Sequence, residues 1–303
     1  MFDSPAVLTM PDWSTSTLTS LGVAVALATV LPPGQAVAAP LPSNLAAPPP
    51  PNIIELSDGN SVYRVDPLRF SEAQSWLVDG VETLFTDLYF LNFGDGLLSR
   101  DLRLEDLRPV VFSQPANDRF SATFSTFGAN LNFSIDSVLL GGLPGSFRAA
   151  RQETVTLTNT GTDWLDVRLF KYIDYDLQFD GVLDDDTALF AGDTLTQTDP
   201  SGALATLRVD QVPTAVQIGP YGQLLAELYN PPATNFQNSP GPFTGDATAA
   251  LQFDRGLAPG ESVVFRFFMA VQRQATAKAV PEPGTAFAVG IVAAGLALLR
   301  RRS

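Results

Sequence analysis

The side chains best placed by type and spacing to do chemistry are six aspartates in one short stretch: Asp174, Asp176, Asp180, Asp184, Asp185 and Asp186. Carboxylates are hard oxygen donors, and Ca2+ takes about six to eight oxygens, so this stretch is the candidate metal site. Asp174 and Asp176 stand two apart in a strand-like run, a spacing that puts both on one face about 7 Å apart. Asp180-Gly181 opens a turn, and the aspartate triplet follows. The spacing is not that of an EF-hand, since the D-x-D-x-D-G run and the closing Glu are both missing. A solvated acidic loop on an acidic protein is the plainer reading of the same residues, and a set of catalytic carboxylates is the third. A second patch, Asn92-Phe93-Gly94-Asp95-Gly96, reads first as a turn and second as a ligand loop.

Composition excludes several classes of chemistry. The chain of 303 residues has neither His nor Cys, which removes disulfides, His/Cys zinc sites, thiol nucleophiles and imidazole catalysis. Any proton transfer then rests on Asp, Glu, Tyr or Lys. There is no G-x-S-x-G elbow and no phosphate-binding G-x-x-x-x-G-K-[ST] loop. With 32 acidic and 18 basic residues the net charge is −14, which argues against nucleic acid as a partner, because phosphate binding needs cationic contacts.

The elements that must position these residues read as β. Phe127, Ala129, Leu131, Phe133 and Ile135 alternate with polar residues, and so do Val155 and Leu157. After the Asn159–Asp163 turn, Leu165, Val167, Leu169 and Ile173 point one way. Trp164, Asp166, Arg168, Phe170, Tyr172 and Asp174 point the other. A turn at 257–262 feeds Val263, Phe265, Phe267, Met269 and Val271, again at period two. Asp79-Gly80 is a hairpin dipeptide. The run after it also matches a helix face, but Tyr89-Phe90-Leu91-Asn92-Phe93 favours a strand. Further strands are expected at 203–212 and 215–218, a turn at 219–222 and a long loop at 231–246. Many short strands between Gly/Pro turns predict an all-β sandwich over residues 53–272, either immunoglobulin-like or a larger two-sheet sandwich. Residues 137–150 are the expected junction if there are two domains. Phe outnumbers Tyr and Trp, 21 against 6 and 3, which favours core over a stacking surface. Trp164 and Tyr172 are therefore expected in a second buried face rather than on a glycan platform.

The two ends carry an address. Residues 21–30 are a compact apolar run, followed by small residues at Ala36, Ala38 and Ala39 that fit a signal-peptide cleavage site. The start departs from that pattern, because the first basic residue is Arg64. Residues 1–39 are expected to be a signal peptide and 40–52 a Pro-rich linker. A second linker spans 273–279. At the other end, Val280-Pro281-Glu282-Pro283 precedes an uncharged apolar helix at 284–299 and then Arg300, Arg301 and Arg302, which the positive-inside rule keeps cytoplasmic. This tail, residues 280–303, resembles the PEP-CTERM sorting signal of exported bacterial proteins. The resemblance implies an inner-membrane intermediate, processing near Pro281–Pro283 by an exosortase-type protease, and a product at the cell surface or outside the cell. It also implies an association with extracellular polysaccharide.

The leading functional expectation is accordingly a non-catalytic cell-surface or matrix protein of an exopolysaccharide biofilm, not an enzyme and without a cofactor. The alternative is a calcium-dependent glycan-binding or glycan-processing sandwich. Convergent carboxylates would favour the alternative, and acids scattered over convex loops would favour the first reading.

Overall fold

Strict alternation of apolar and polar residues builds the molecule, because in a strand it fills one face with side chains that must leave water. The computed structural model describes residues 52–273 except 71–73, 95–97, 109, 127–129, 178–180 and 183–184. The expected signal peptide, the linker at 40–51 and the expected sorting tail lie outside the described residues, and so do Asp180 and Asp184. Among the described residues no helix is long and apolar enough to cross a membrane.

In chain order the strands are β1 (Ile54–Asp58), β2 (Ser61–Val65), β3 (Gln74–Val78), β4 (Val81–Glu82), β5 (Leu84–Phe93), β6 (Leu102–Arg103), β7 (Val110–Ala116), β8 (Arg119–Ser125) and β9 (Leu131–Gly141). They continue as β10 (Arg148–Asn159), β11 (Leu165–Tyr175), β12 (Thr187–Ala191), β13 (Thr194–Thr198), β14 (Ala203–Val209), β15 (Ala215–Pro220), β16 (Phe243–Thr244), β17 (Ala247–Leu257) and β18 (Ser262–Arg273). One α-helix, α1 (Gln223–Tyr229), falls between β15 and β16. A nine-stranded sheet runs β16-β12-β13-β14-β18-β10-β9-β8-β7, a five-stranded sheet β15-β17-β11-β5-β6, and a four-stranded sheet β1-β2-β3-β4. The all-β sandwich is therefore present, with two large sheets and a smaller four-stranded one beside them. Residues 137–150 are no junction: they hold the end of β9 and the start of β10, which pair from Ala149↔Gly141 to Asn159↔Leu131.

The inward faces of the nine- and five-stranded sheets share one core. Phe133 and Ile135 of β9, Val155 and Leu157 of β10, and Phe265 and Phe267 of β18 meet Leu91 of β5, Leu169 and Ile173 of β11, and Phe253 of β17. The Phe253 ring sits 5.1 Å from that of Phe265 and 5.9 Å from that of Phe267. Truncating such a buried Phe to Ala typically costs about 3–5 kcal/mol. The outer face of the five-stranded sheet has a smaller core of its own. There Phe90, Phe170 and Tyr172 are covered by Leu224 and Leu228 of α1 and by Phe236. The 219–222 turn is thus the end of β15 leading into a helix that the turn residues did not announce.

The hairpin at Asp79-Gly80 forms, with φ of 50° and 78° and Val78 paired to Val81. The run after it is a strand, β5. Where the β1–β2 turn meets the end of β9, a Cβ on Gly141 would stand 1.7 Å from the Asp58 carbonyl oxygen, so only glycine fits that approach.

Between the two large sheets lies a charged group that no sequence pattern announced. Arg151 and Glu153 on β10, Asp87 on β5 and Lys171 on β11 all have side chains with no exposure. Arg151 and Lys171 both pair with Asp87. Lys171 Nζ donates to Glu153 Oε2 at 2.8 Å, Arg151 Nη1 donates to Glu153 Oε1 at 2.9 Å, and the Tyr89 hydroxyl donates to Glu153 Oε2 at 2.6 Å. Two cations and two anions cancel, and Arg151 also rests over the Tyr63 ring at 4.0 Å. Burial alone would raise the Glu153 pKa, but Arg151 and Lys171 outweigh it and hold the carboxyl down to about 2.

Candidate functional site

Strand β11 organises two surface sites because its outward face runs the length of the five-stranded sheet. Alternation puts Asp166, Arg168, Phe170, Tyr172 and Asp174 on that face. The middle of the face is covered by α1, and the ends hold the polar chemistry.

At the N-terminal end, Trp164 is 56% exposed, against the expectation that it would be buried; Tyr172 is buried as expected. The indole is held in place by two contacts. Its Nε1–H donates to Asp166 Oδ1 at 2.9 Å, and its ring lies on Gly256, where an added Cβ would stand 2.2 Å from Cζ2. Register explains the second contact, since Asp166 of β11 pairs with Gly256 of β17. Beside the indole is a cleft of about 450 Å³ lined by Gly94, Asp166, Val167, Arg168, Asp254, Arg255 and Gly256. Arg168 pairs across to Asp254, Nε to Oδ1 at 2.6 Å, and its Nη1 donates to the Thr234 carbonyl at 2.7 Å. Gln252 Nε2 donates to Asp254 Oδ2 at 3.0 Å. Gly94 closes the rim, its N–H donating to the Asp166 carbonyl at 3.0 Å. Of the expected turn, Asn92 and Phe93 are instead the last residues of β5, and Gly94 is the bend that follows. The Asn92 side chain is its buried strut, donating to Asp101 Oδ1 at 2.9 Å and accepting from Leu98 N–H at 2.6 Å. Asp95 and Gly96 lie outside the described residues.

At the C-terminal end the acids gather. Asp185, Asp186 and Asp199 bring carboxylate oxygens to within 4.8 Å of one another, and Asp186 and Asp199 are buried. Gln197 on β13 orients Asp186, with Nε2 donating to its Oδ2 at 2.6 Å and to the Tyr175 carbonyl at 2.9 Å. Asp199 is fixed by the Ser201 N–H on its Oδ1 at 2.6 Å. Burial, with Asp199, Asp185 and Asp176 nearby, pushes Asp186 up to about 7 against the pull of Gln197. Burial, then Asp246, Asp176 and Asp186, pushes Asp174 up to about 8.

The expected metal set is only partly assembled. Asp185 and Asp186 are together. Asp174 is buried nearby on the outer face of β11, and Asp180 and Asp184 are not described. The pairing of Asp174 with Asp176 on one strand face does not hold: β11 ends at Tyr175, and the register to β5 shifts between Asp174 and Tyr175. Asp199 and Asp246 were missed. Each sits in a Gly-containing turn, Asp199-Pro200-Ser201-Gly202 and Thr244-Gly245-Asp246; the β12–β13 hairpin brings the first to the aspartate run, and the pairing of β16 with β12 brings the second.

The chain matches no protein-family model and no curated protein. Among solved structures it is similar to the Slr1438 protein of Synechocystis sp. PCC 6803, at 9% identity and a TM-score of 0.49, covering 74% of this chain and 96% of that one. It is also similar to a bacterial glucoamylase solved with acarbose, at 8% identity and a TM-score of 0.49, covering 71% of this chain and 31% of that one. A third is a putative aldose 1-epimerase from Escherichia coli K12, at 10% identity and a TM-score of 0.44, covering 73% of this chain and 99% of that one. At such identities and scores no activity or residue role transfers to this chain.

The expectation of a non-catalytic matrix protein, and with it that of a non-enzyme, is corrected here. The acids converge instead of scattering over convex loops, and the aromatic that was assigned to a buried face is on the surface.

Proposed function

We propose that this chain is a glycan-binding or glycan-processing β-sandwich whose sugar site is the cleft beside Trp164. The observation that carries it is the exposed, braced indole. A flat aromatic face held in one orientation stacks on the apolar face of a pyranose ring at little entropic cost. The neighbouring groups supply what a sugar's hydroxyls need: Asp166 and Asp254 accept, and Arg168 donates. The cleft volume, about 450 Å³, falls in the usual range for small-ligand sites. Asp166 and Asp254 are also the carboxylates available there for acid–base work on a bound glycan. The tail's resemblance to a sorting signal supports an exported domain, handled by an exosortase-type protease and meeting polysaccharide outside the cell.

The test is native electrophoresis of the full chain through gels containing individual polysaccharides, with reducing ends assayed in parallel. At least one polysaccharide should retard the protein, and Trp164→Ala should abolish that retardation while circular dichroism stays unchanged. New reducing ends that vanish in Asp254→Asn mark processing; retardation alone marks binding. No retardation by any glycan, or equal retardation of the Trp164→Ala protein, overturns the reading.

A further inference from the structure

We propose that Asp185, Asp186 and Asp199 form a divalent-cation site, with Ca2+ as the ion, at the edge where the turn before β12 meets the turn after β13. This inference stands apart from the Trp164 cleft and does not depend on it.

Two independent observations carry it. The first is the spacing. The carboxylate oxygens of these three residues lie within 4.8 Å of one another. Two oxygens bonded to one Ca2+ at about 2.4 Å are at most about 4.8 Å apart, so one ion fits among all three. The second is an unmet polar atom. Asp199 is only 4% exposed; its Oδ1 accepts from Ser201 N–H, yet its Oδ2 is buried and has no hydrogen-bond donor among the described residues. A buried carboxylate oxygen without a donor is costly, and a cation is the partner that removes the cost. The same turn buries Ser201 Oγ, which also lacks a partner among the described residues.

The surroundings agree. Among the described residues neither Asp186 nor Asp199 has a Lys or Arg partner. The side-chain donor on Asp186 is the Gln197 amide, a neutral group that fixes the carboxylate's orientation without neutralising it. Such a supporting hydrogen bond is how ligating carboxylates are usually held. The strongest electrostatic influences on Asp186, after burial, include Asp199, Asp185 and Asp176, all of like sign. The scaffold is hydrogen-bonded: Asp186 leads into β12, its carbonyl accepts from Gly245 N–H at 2.9 Å, and Asp199 follows β13, the strand paired with β12. The ligands come from the two sides of the open end of the β12–β13 hairpin, so the ion would tie them together. Three carboxylates leave the remaining positions of a six- to eight-coordinate ion to second carboxylate oxygens and water.

The experiment uses the full chain stripped with chelator and then titrated with CaCl2 alone, with MgCl2 as a parallel arm. Melting is followed by circular dichroism and binding by calorimetry. Ca2+ at one hundred times its Kd should raise Tm by roughly 5–10 °C in a domain of this size. Asp199→Asn should weaken Kd at least tenfold. Asp185→Asn, at the less buried ligand, is the second variant should the first fail to fold, and it should weaken Kd likewise. No Tm shift and no heat at millimolar Ca2+ would overturn the site. An unchanged Kd in a folded Asp199→Asn or Asp185→Asn protein would overturn it too, since the ion would then sit elsewhere. An equal response to Mg2+ would overturn the choice of Ca2+. Loss of Ca2+ binding in Asp199→Asn with polysaccharide retardation intact would support the site and leave the Trp164 reading standing, because the two readouts are separate.

Discussion

Replacing Lys171 by Met removes one of two buried cations and leaves Arg151 facing both Asp87 and Glu153. All four side chains of the wild-type group have no exposure, so solvent does not screen the unpaired charge left behind. Breaking one partner of a buried ion pair typically costs about 3–5 kcal/mol. In a domain of this size each kcal/mol moves Tm by about 2–4 °C, so a fall of roughly 6–20 °C is expected. The assay is urea unfolding, read as a lower midpoint with an unchanged slope. Charge balance makes a sharper claim. Lys171→Met with Asp87→Asn leaves one cation and one anion, so the double variant should be more stable than Lys171→Met by at least about 1 kcal/mol, although it carries a second change. The pH dependence has a definite sign. In Lys171→Met a buried carboxyl without its cation has a folded pKa above its unfolded one near 4, so its penalty is absent below that value and grows as pH rises. The deficit against wild type should therefore shrink between pH 7 and pH 5. A single variant losing less than about 1 kcal/mol, or a double variant losing the sum of the two single losses, would refute the reasoning.

Three further outcomes follow from the geometry. Asp174, raised to about 8 by burial and by Asp246, Asp176 and Asp186, is protonated in the folded state and ionised in the unfolded state from about pH 4 upward. Its contribution is present below pH 4 and lost as pH rises toward 8, so the chelated wild type should lose up to about 4 kcal/mol between pH 5 and pH 8 while Asp174→Asn stays flatter in the same melts. Gly256→Ala puts a methyl where the indole lies, so Trp164 must leave its seat; polysaccharide retardation should fall while near-wild-type melting shows an intact fold. Gly141→Ala drives a methyl into the Asp58 carbonyl, a backbone atom that cannot swing away, and should cost about 1–3 kcal/mol or more in urea.

What the sequence revealed and what it hid divide along a physical line. Period-two alternation is local, and it located β9, β10, β11 and β18 together with which way each side chain faces. The Asp79-Gly80 dipeptide marked a hairpin because two consecutive positive φ values suit few residues. Partnering is not local. Nothing in the composition of β10 says that Arg151 and Glu153 will face Asp87 and Lys171, because the neutralising charges come from two other strands in a different sheet. Asp199 reaches the aspartate run by a shorter route, the open end of the β12–β13 hairpin. Trp164 was misjudged for a related reason. Its place on the outer face of β11 was legible, but whether that face is covered depends on α1, and α1 covers only the middle of it.

That partial cover also bears on whether the two proposed sites can influence each other. Asp166 and Asp174 share one face of β11, eight residues apart, which at about 3.3 Å per residue is roughly 26 Å. That is about three times the Debye length of roughly 8 Å at physiological salt, so little direct electrostatic influence passes from one end to the other. An ion at Asp185, Asp186 and Asp199 therefore changes the potential at the Trp164 cleft very little. The apolar group between the ends, with Phe170 and Tyr172 under Leu224 and Leu228, offers no polar relay either. Ca2+ can then strengthen glycan binding only by stiffening the strand pairs that carry both ends. Such a gain would persist at high salt, whereas a purely electrostatic gain would not. A calcium effect on polysaccharide retardation that disappears between about 0.05 and 0.5 M NaCl would place the ion nearer the cleft than β11 allows.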